Sequence, residues 1–310
     1  MPVIGLELLF VLLWSSGFIG AKYGLPYAGP FTLLLIRYAI VAGLLGCWLC
    51  IRGDFQFASR AAIARAALIG VLAHAVWLSA ALGGIALGVS PWIVALITAL
   101  QPMLTSVLSG PVLGEKILPV QWWGTCIGLV GVVMVVITKL EGSAGVSPWG
   151  YVLPFVAAAS MTVSTLYQRH LNGNQAVRLR IVNSLFVQAT TSVIFLLPLA
   201  VLIEDVQVQW TGQFMFALAW LVIMLSIGSY GLLLKLLEHR TAARVASLMY
   251  LTPPTTLVLG SLLFGDSITW IDGLGLVIAA IGVSLVYQST INLKRRNPRA
   301  DPKRYLSMKP

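Results

Sequence analysis

SPWIVALITALQPMLTSVLSGPVLGEKILPVQWWGTCIGLVGVVMVVIT, residues 90–138, is written a second time and more loosely as TAARVASLMYLTPPTTLVLGSLLFGDSITWIDGLGLVIAAIGVSLVYQS, residues 241–289. A shift of 151 residues lays one over the other without a gap, and fourteen of the forty-nine aligned positions are identical. Pro102 falls over Pro253, Gly114 over Gly265, Gly124 over Gly275 and Gly131 over Gly282, with Glu115 over Asp266. Segments rich in Leu and Val match by chance, but chance does not also align proline, glycine and acidic positions. The chain reads as an internal duplication.

The composition places both copies in a membrane. The chain has 310 residues, 58% hydrophobic and only 10% charged, with a mean hydropathy of +0.91. A water-soluble domain of that make-up could not cover its surface with charge. Crossing roughly 30 Å of hydrocarbon takes about 20 apolar residues in a helix, and runs of that length recur throughout. Spans are expected near Val3–Tyr23, Phe31–Cys50, Ala64–Gly84, Pro91–Leu113 and Pro119–Lys139. A second set is expected near Trp149–Arg169, Ile181–Ile203, Gln213–Leu237, Ala242–Phe264 and Ile271–Thr290. The fold class expected is an all-α membrane protein of ten transmembrane helices. Residues 1–140 form a first five-helix repeat, 148–290 a second, and 291–310 a basic cytoplasmic tail. The first span is expected to stay in place rather than be cleaved, because its leader holds Glu7 and no basic residue.

Charge sets the expected orientation. With the N-terminus cytoplasmic, seventeen of the 20 lysines and arginines fall on inward loops or in the tail. Only Lys22 and Lys139 face out, beside Glu204 and Asp205, which satisfies the positive-inside rule. The basic tail is expected to lie on anionic lipid headgroups. Nucleic acid is not expected as a partner, because the tail has no interleaved aromatics to stack bases. Five is an odd number, so the second repeat enters the membrane from the opposite side. Inverted repeats are the architecture of secondary transporters, whose halves rock about a site near the midplane.

The pattern Trp14-Ser-Ser-Gly-Phe, Arg37, Leu100-Gln-Pro102, Leu113-Gly-Glu115 and the Gly124/Gly131 helix resembles the EamA-type branch of the drug/metabolite transporter superfamily. The resemblance covers nearly the whole chain as two tandem copies. The second copy is looser, with Asp266 for Glu and Gln188 where the first copy has Arg37. It implies ten helices, cytoplasmic termini in a cell inner membrane, and export of amino acids or other small metabolites. It does not imply one substrate.

Polar side chains in hydrocarbon are costly and mark pathways or helix contacts. Arg37 lies about six residues below the end of its helix, roughly 10 Å at about 1.5 Å per residue. Substrate contact and structural pairing both fit it. His74 and Trp77 share one face of the third helix, and Gln101 sits at similar depth beside Pro102. Pro102 and Pro253 remove a helix hydrogen bond at matching places, so they read as hinges, and interruptions paired in this way point to a transport site. Trp14, Tyr230, Tyr250 and Thr252 complete the candidate substrate-binding set, and an amphipathic or aromatic solute suits the aromatic members. Glu7 and His74 are candidates for proton coupling. Gly124, Gly128 and Gly131, like Gly275, Ala279 and Gly282, form small-residue faces, suited to packing within one chain or to a homodimer.

No metal site, cofactor or catalytic residue is expected. Cys47 and Cys50 form a lone C-x-x-C, too few ligands for zinc, and read as packing residues. The rival class is a polytopic intramembrane enzyme acting on a lipid or small amphipathic substrate. An aspartyl protease would need two embedded aspartates sharing a site, whereas Asp266 and Asp272 fall at helix ends. No Walker motif appears to couple ATP, and no filter-like loop suggests a channel.

Topology is testable directly. With single cysteines introduced as Asp205→Cys or Lys303→Cys in a cysteine-free background, an impermeant thiol reagent should label only the Asp205 position in intact cells. Equal or reversed labelling would remove the ten-helix orientation.

Overall fold

The computed structural model describes residues 3–56, 59–114, 117–142, 146–171, 179–239, 248–266 and 268–296. Glu115, Lys116, Arg178, Arg240, Arg244, the start of the ninth span and the tail after 296 lie outside the described residues. So do the side chains of Lys139, Arg169 and Tyr230.

The helices run in chain order as α1 (Val3–Gly24), α2 (Pro30–Arg52), α3 (Arg60–Ala86), α4 (Pro91–Leu113) and α5 (Pro119–Gly142). Then come α6 (Pro148–Leu171), α7 (Ile181–Glu204), α8, α9 (Met249–Phe264) and α10 (Trp270–Arg296). The eighth helix, α8, is Gly212–Ala219 followed by the π-helical Trp220–Ser229 and then Tyr230–His239. Among the described residues, eight of these helices are long and apolar enough to cross a bilayer, and Met249–Phe264 and Trp270–Val286 are shorter apolar helices. The helix boundaries follow start and stop chemistry. Pro30, Pro91, Pro119 and Pro148 each open a helix, where a missing N–H costs nothing. Ser59 starts α3 four residues earlier than the hydrophobic pattern suggests, because its side chain accepts from Ala62 N.

The duplication is visible in the backbone. Gln101–Leu113 and Thr252–Phe264 occupy the same frame, one α-helix in each repeat. Both end on a glycine in the left-handed region, Gly114 at φ 70° and Gly265 at φ 67°. That conformation explains why glycine aligns at both places. The fifth helix of each repeat also starts alike. Leu118 N donates to Gln121 Oε1 and Thr269 N to Asp272 Oδ2, each at 2.8 Å. Asp272 thus caps a helix, in the manner of a capping box.

Equivalent helices pair across the duplication, α2 with α7 and α5 with α10. The α2–α7 pair is antiparallel at both ends. At one end Glu204 closes α7 and accepts from Phe31 N and Thr32 N at the start of α2, at 3.1 and 2.7 Å. Gly29 leaves room for that carboxylate; a Cβ there would collide with it. At the other end Arg180, preceding α7, donates to Asp54 just past α2 at 2.7 Å, and Asn183 Nδ2 donates to Asp54 O. The two repeats therefore run in opposite directions.

The glycine faces of α5 and α10 bury each other. A Cβ on Gly124 would lie 2.7 Å from Gly282 O, and one on Gly131 2.6 Å from both Ala279 N and Gly275 O. That contact uses up the small-residue surface inside one chain. A homodimer built on these same faces would have to pull α5 off α10. Large apolar side chains such as Ile51, Leu202 and Leu262 point outward, as a lipid-facing surface requires.

Gly131→Val is expected to wedge α5 from α10 and cost about 1–3 kcal/mol. The measurement is thermal unfolding followed by size-exclusion in detergent. An unchanged midpoint would show that the two helices can part without penalty.

Candidate functional site

A cavity of about 490 Å³ opens among α1, α2, α3, α7 and α8, with Met161 of α6 on its wall. The aromatic side of the wall is Trp14, Phe18, Tyr38, Trp48 and Trp77. Leu44, Leu45, Leu78, Leu82, Leu185 and Leu225 add aliphatic surface, and Arg37, His74 and Ser226 supply polar atoms. Along α2 the wall runs from Arg37 through Tyr38, Val41, Leu44 and Leu45 to Trp48, a single helical face.

The aromatic wall is organised by ring contacts. Trp14 stacks on Trp77 with centroids 6.5 Å apart, and Phe10 backs Trp14 at 5.7 Å. Tyr38 lies tilted against the His74 ring at 5.4 Å. Such offset pairs add stabilisation beyond their buried area.

The polar groups are held across the two repeats. Arg37 donates from Nε and Nη2 to Ser226 Oγ at 3.1 and 3.0 Å. The Ser226 hydroxyl in turn donates to Leu221 O at 3.1 Å. His74 Nε2 meets Gln188 Oε1 at 2.9 Å, and Gln188 Nε2 donates to Ser184 Oγ. Gln188 is the duplication partner of Arg37, so the two bonds are counterparts. In each, the second helix of one repeat reaches the third helix of the other.

Both receiving sites lie on π-helical backbone, Val71–Val76 in α3 and Trp220–Ser229 in α8, at matching places in the duplication. A π segment widens the turn and loosens carbonyls. Neighbours satisfy them: Ser160 Oγ donates to Leu72 O at 2.8 Å and Ser192 Oγ to Gly70 O at 3.2 Å. Neither π segment was legible in the hydropathy pattern, which is indifferent to one extra residue per turn.

The sequence candidates divide among three places. Trp14, Arg37, His74 and Trp77 line the large cavity. Tyr250 and Pro253 line a second cavity of about 280 Å³ between α4, α5, α9 and α10. Gln101 is on neither wall. Its Nε2 donates to Thr105 Oγ1 at 3.1 Å and Thr165 Oγ1 at 3.2 Å, joining α4 to α6. Thr252 is buried beside the second cavity. Glu7 is buried two turns before Trp14 on α1. These residues, grouped by the sequence as one candidate substrate-binding set, do not share a single cavity wall. Equal depth on consecutive helices says nothing about which face each residue takes. The proline interruptions are present: α4 breaks at Ala99–Leu100 before Pro102, and α9 starts with 3-10 turn Met249–Leu251 before Pro253. Residues that the sequence reading missed on the large cavity are Tyr38, Trp48, Phe18 and Ser226.

Compared with known families, residues 1–137 and again 148–288 match the EamA-like transporter family. The chain belongs to that family. It is a membrane transporter, and each match spans one five-helix repeat. Among curated relatives, the "Uncharacterized inner membrane transporter YedA" of Escherichia coli (strain K12) is 23% identical over 286 residues, 92% of this chain and 90% of the relative. The "Probable amino-acid metabolite efflux pump" of Salmonella typhimurium is 22% identical over 293 residues, 90% of this chain and 92% of the relative. A solved crystal structure covers 94% of this EamA-like chain and 98% of its own, with TM-score 0.62 at 19% identity. That likeness concerns the fold.

A double-mutant cycle on Arg37→Gln and Ser226→Ala, read by thermal unfolding in detergent, should give a coupling of about 0.5–2 kcal/mol, the range for hydrogen bonds between membrane helices. Additive effects would mean that the Arg37–Ser226 contact contributes nothing to holding the repeats together.

Proposed function

We propose that the chain exports small amphipathic or aromatic metabolites from the cytoplasm across the inner membrane by alternating access, without ATP. The observation that carries this is the aromatic cavity whose polar groups are each held from the opposite repeat. A solute resting on Trp14 and Trp77 of the first repeat and reaching Leu185 and Leu225 of the second touches both halves at once, so its binding is coupled to their relative motion. The relative named as an inner membrane transporter supports transport at that membrane, and the one named as an amino-acid metabolite efflux pump supports export.

In this reading both termini are cytoplasmic and the Glu204 end of the bundle faces out. Several contacts tie that end: Lys22 Nζ to Asp266 Oδ1 at 3.1 Å and over the Phe264 ring at 4.0 Å, Tyr27 to Gln213 at 2.6 Å, and an Ala28–Val208 bridge. They join the α1–α2 turn to α8 and the end of α1 to α9, the elements around the cavity's outer limit. The cavity wall continues toward Trp48 and the Asp54 end. In this reading those contacts close the outer end, and the solute enters from the Trp48 and Asp54 end. Pro102 and Pro253 act as the bending points, because a helix without that hydrogen bond bends at lower cost. His74, on the cavity wall, is the residue assigned to proton coupling.

Purified chain in liposomes should move solute without changing it chemically, and a modified product would sink the transporter reading in favour of an enzyme. Trp77→Ala should slow flux about tenfold by removing apolar contact area. Trp122→Ala, on an exposed face of α5, should leave it intact. Pro253→Ala should keep binding while slowing turnover. Full flux in the Trp77 variant would place the pathway elsewhere, and full flux in the Pro253 variant would remove the hinge.

A further inference from the structure

Charge on the cavity wall is one-sided. Arg37 contributes a guanidinium, and among the described residues that line the cavity there is no Asp or Glu. The bond from Arg37 to Ser226 goes to a neutral hydroxyl, which orients the fork but adds no negative charge. The duplication sharpens the point. The equivalent position in the second repeat is Gln188, whose amide meets His74. The cation is therefore a feature of one half that the fold did not require of both.

We infer that the solute is an amphipathic anion, an aromatic or branched apolar body ending in a carboxylate, and that an ammonium on the same molecule counts against it. This rests on reading the cavity as the solute pathway and narrows that reading. In a medium of low dielectric constant a carboxylate is drawn to Arg37, whichever of its donors are already engaged. An ammonium meets the opposite field and finds no carboxylate among the described lining residues to receive it. The rings of Trp14 and Trp77 suit the apolar body. A simple carboxylic acid thus fits better than the corresponding amino acid, although both share the same apolar group.

Four ligands with one phenylpropyl skeleton separate these terms: phenylpropionate, phenylpropanol, phenylpropylamine and phenylalanine. Binding to the purified full chain in detergent is measured by calorimetry at neutral pH. Phenylpropionate should bind at least about tenfold more tightly than the amine or phenylalanine, with the alcohol between, as one charge-assisted contact allows. Arg37→Gln should reduce phenylpropionate to the level of the alcohol, while Arg37→Lys, which keeps the charge without the planar fork, should retain the preference. If the Gln variant is not monodisperse, the ranking on the parent and on the Lys variant decides. Equal binding of phenylalanine or the amine would overturn the anion class, as would an unchanged ranking in Arg37→Gln or no binding by any of the four at millimolar concentration. Trp77→Ala should weaken all four alike. Were it to weaken none of those that bind, the cavity reading itself would fall, a result distinct from a wrong ranking.

Discussion

Hydrocarbon offers no water to an unpaired N–H or C=O, and each such group left over costs several kcal/mol. The rest of this structure follows from meeting that demand with protein atoms alone. Helices satisfy most of the backbone, and the remaining ends and interruptions recruit side chains. Glu204 takes two N–H groups at the start of α2. Gln121 and Asp272 each take one ahead of α5 and α10. Carbonyls loosened by the π segment of α3 are met by Ser160 and Ser192. Hydroxyls such as Thr98, Thr162 and Thr256 bond back onto their own helices, a local solution that needs no partner.

Because several of those bonds come from the opposite repeat, polarity also joins the halves. The scaffold is symmetric: α2 with α7, α5 with α10, matched breaks, matched caps and matched π segments. The cavity is not. Arg37 has Gln188 as its counterpart, and the groups that meet them differ too, Ser226 in one half and His74 in the other. Duplication supplied two equivalent frameworks, and divergence placed aromatic rings and charge mainly in the first. Packing explains the difference in tolerance. Gly124, Gly131, Gly275 and Gly282 sit where backbones nearly touch and admit no side chain, whereas cavity positions admit any residue that leaves the helix intact.

The candidate site was legible in part, and the division is instructive. Trp14, Arg37, His74 and Trp77 stood out as polar or aromatic groups at depth, and they share one wall. Gln101 and Tyr250 stood out on the same ground and belong elsewhere. Depth follows from counting residues along a helix, but facing depends on how the helix is rotated, and α4 is interrupted at Ala99–Leu100 so that its two parts follow no single phase. Tyr38 and Trp48 escaped notice because Tyr near a helix start and Trp near a helix end look like interfacial anchors. Ser226 escaped because a serine among apolar residues carries no signal until Arg37 is placed beside it.

By itself the sequence determined that this chain spans a membrane many times, that it is two copies of one unit, and where proline and glycine interrupt the helices. These are properties of composition, period and aligned special residues, each local or nearly so. Only the tertiary structure decided which helix faces which, that the glycine stripes close on each other within one chain, and that Arg37 and His74 are held by Ser226 and Gln188. Those outcomes depend on helix rotation and on contacts between residues more than a hundred positions apart. Side chains that lie as close as 3 Å in space leave no mark on their separate neighbourhoods in the chain.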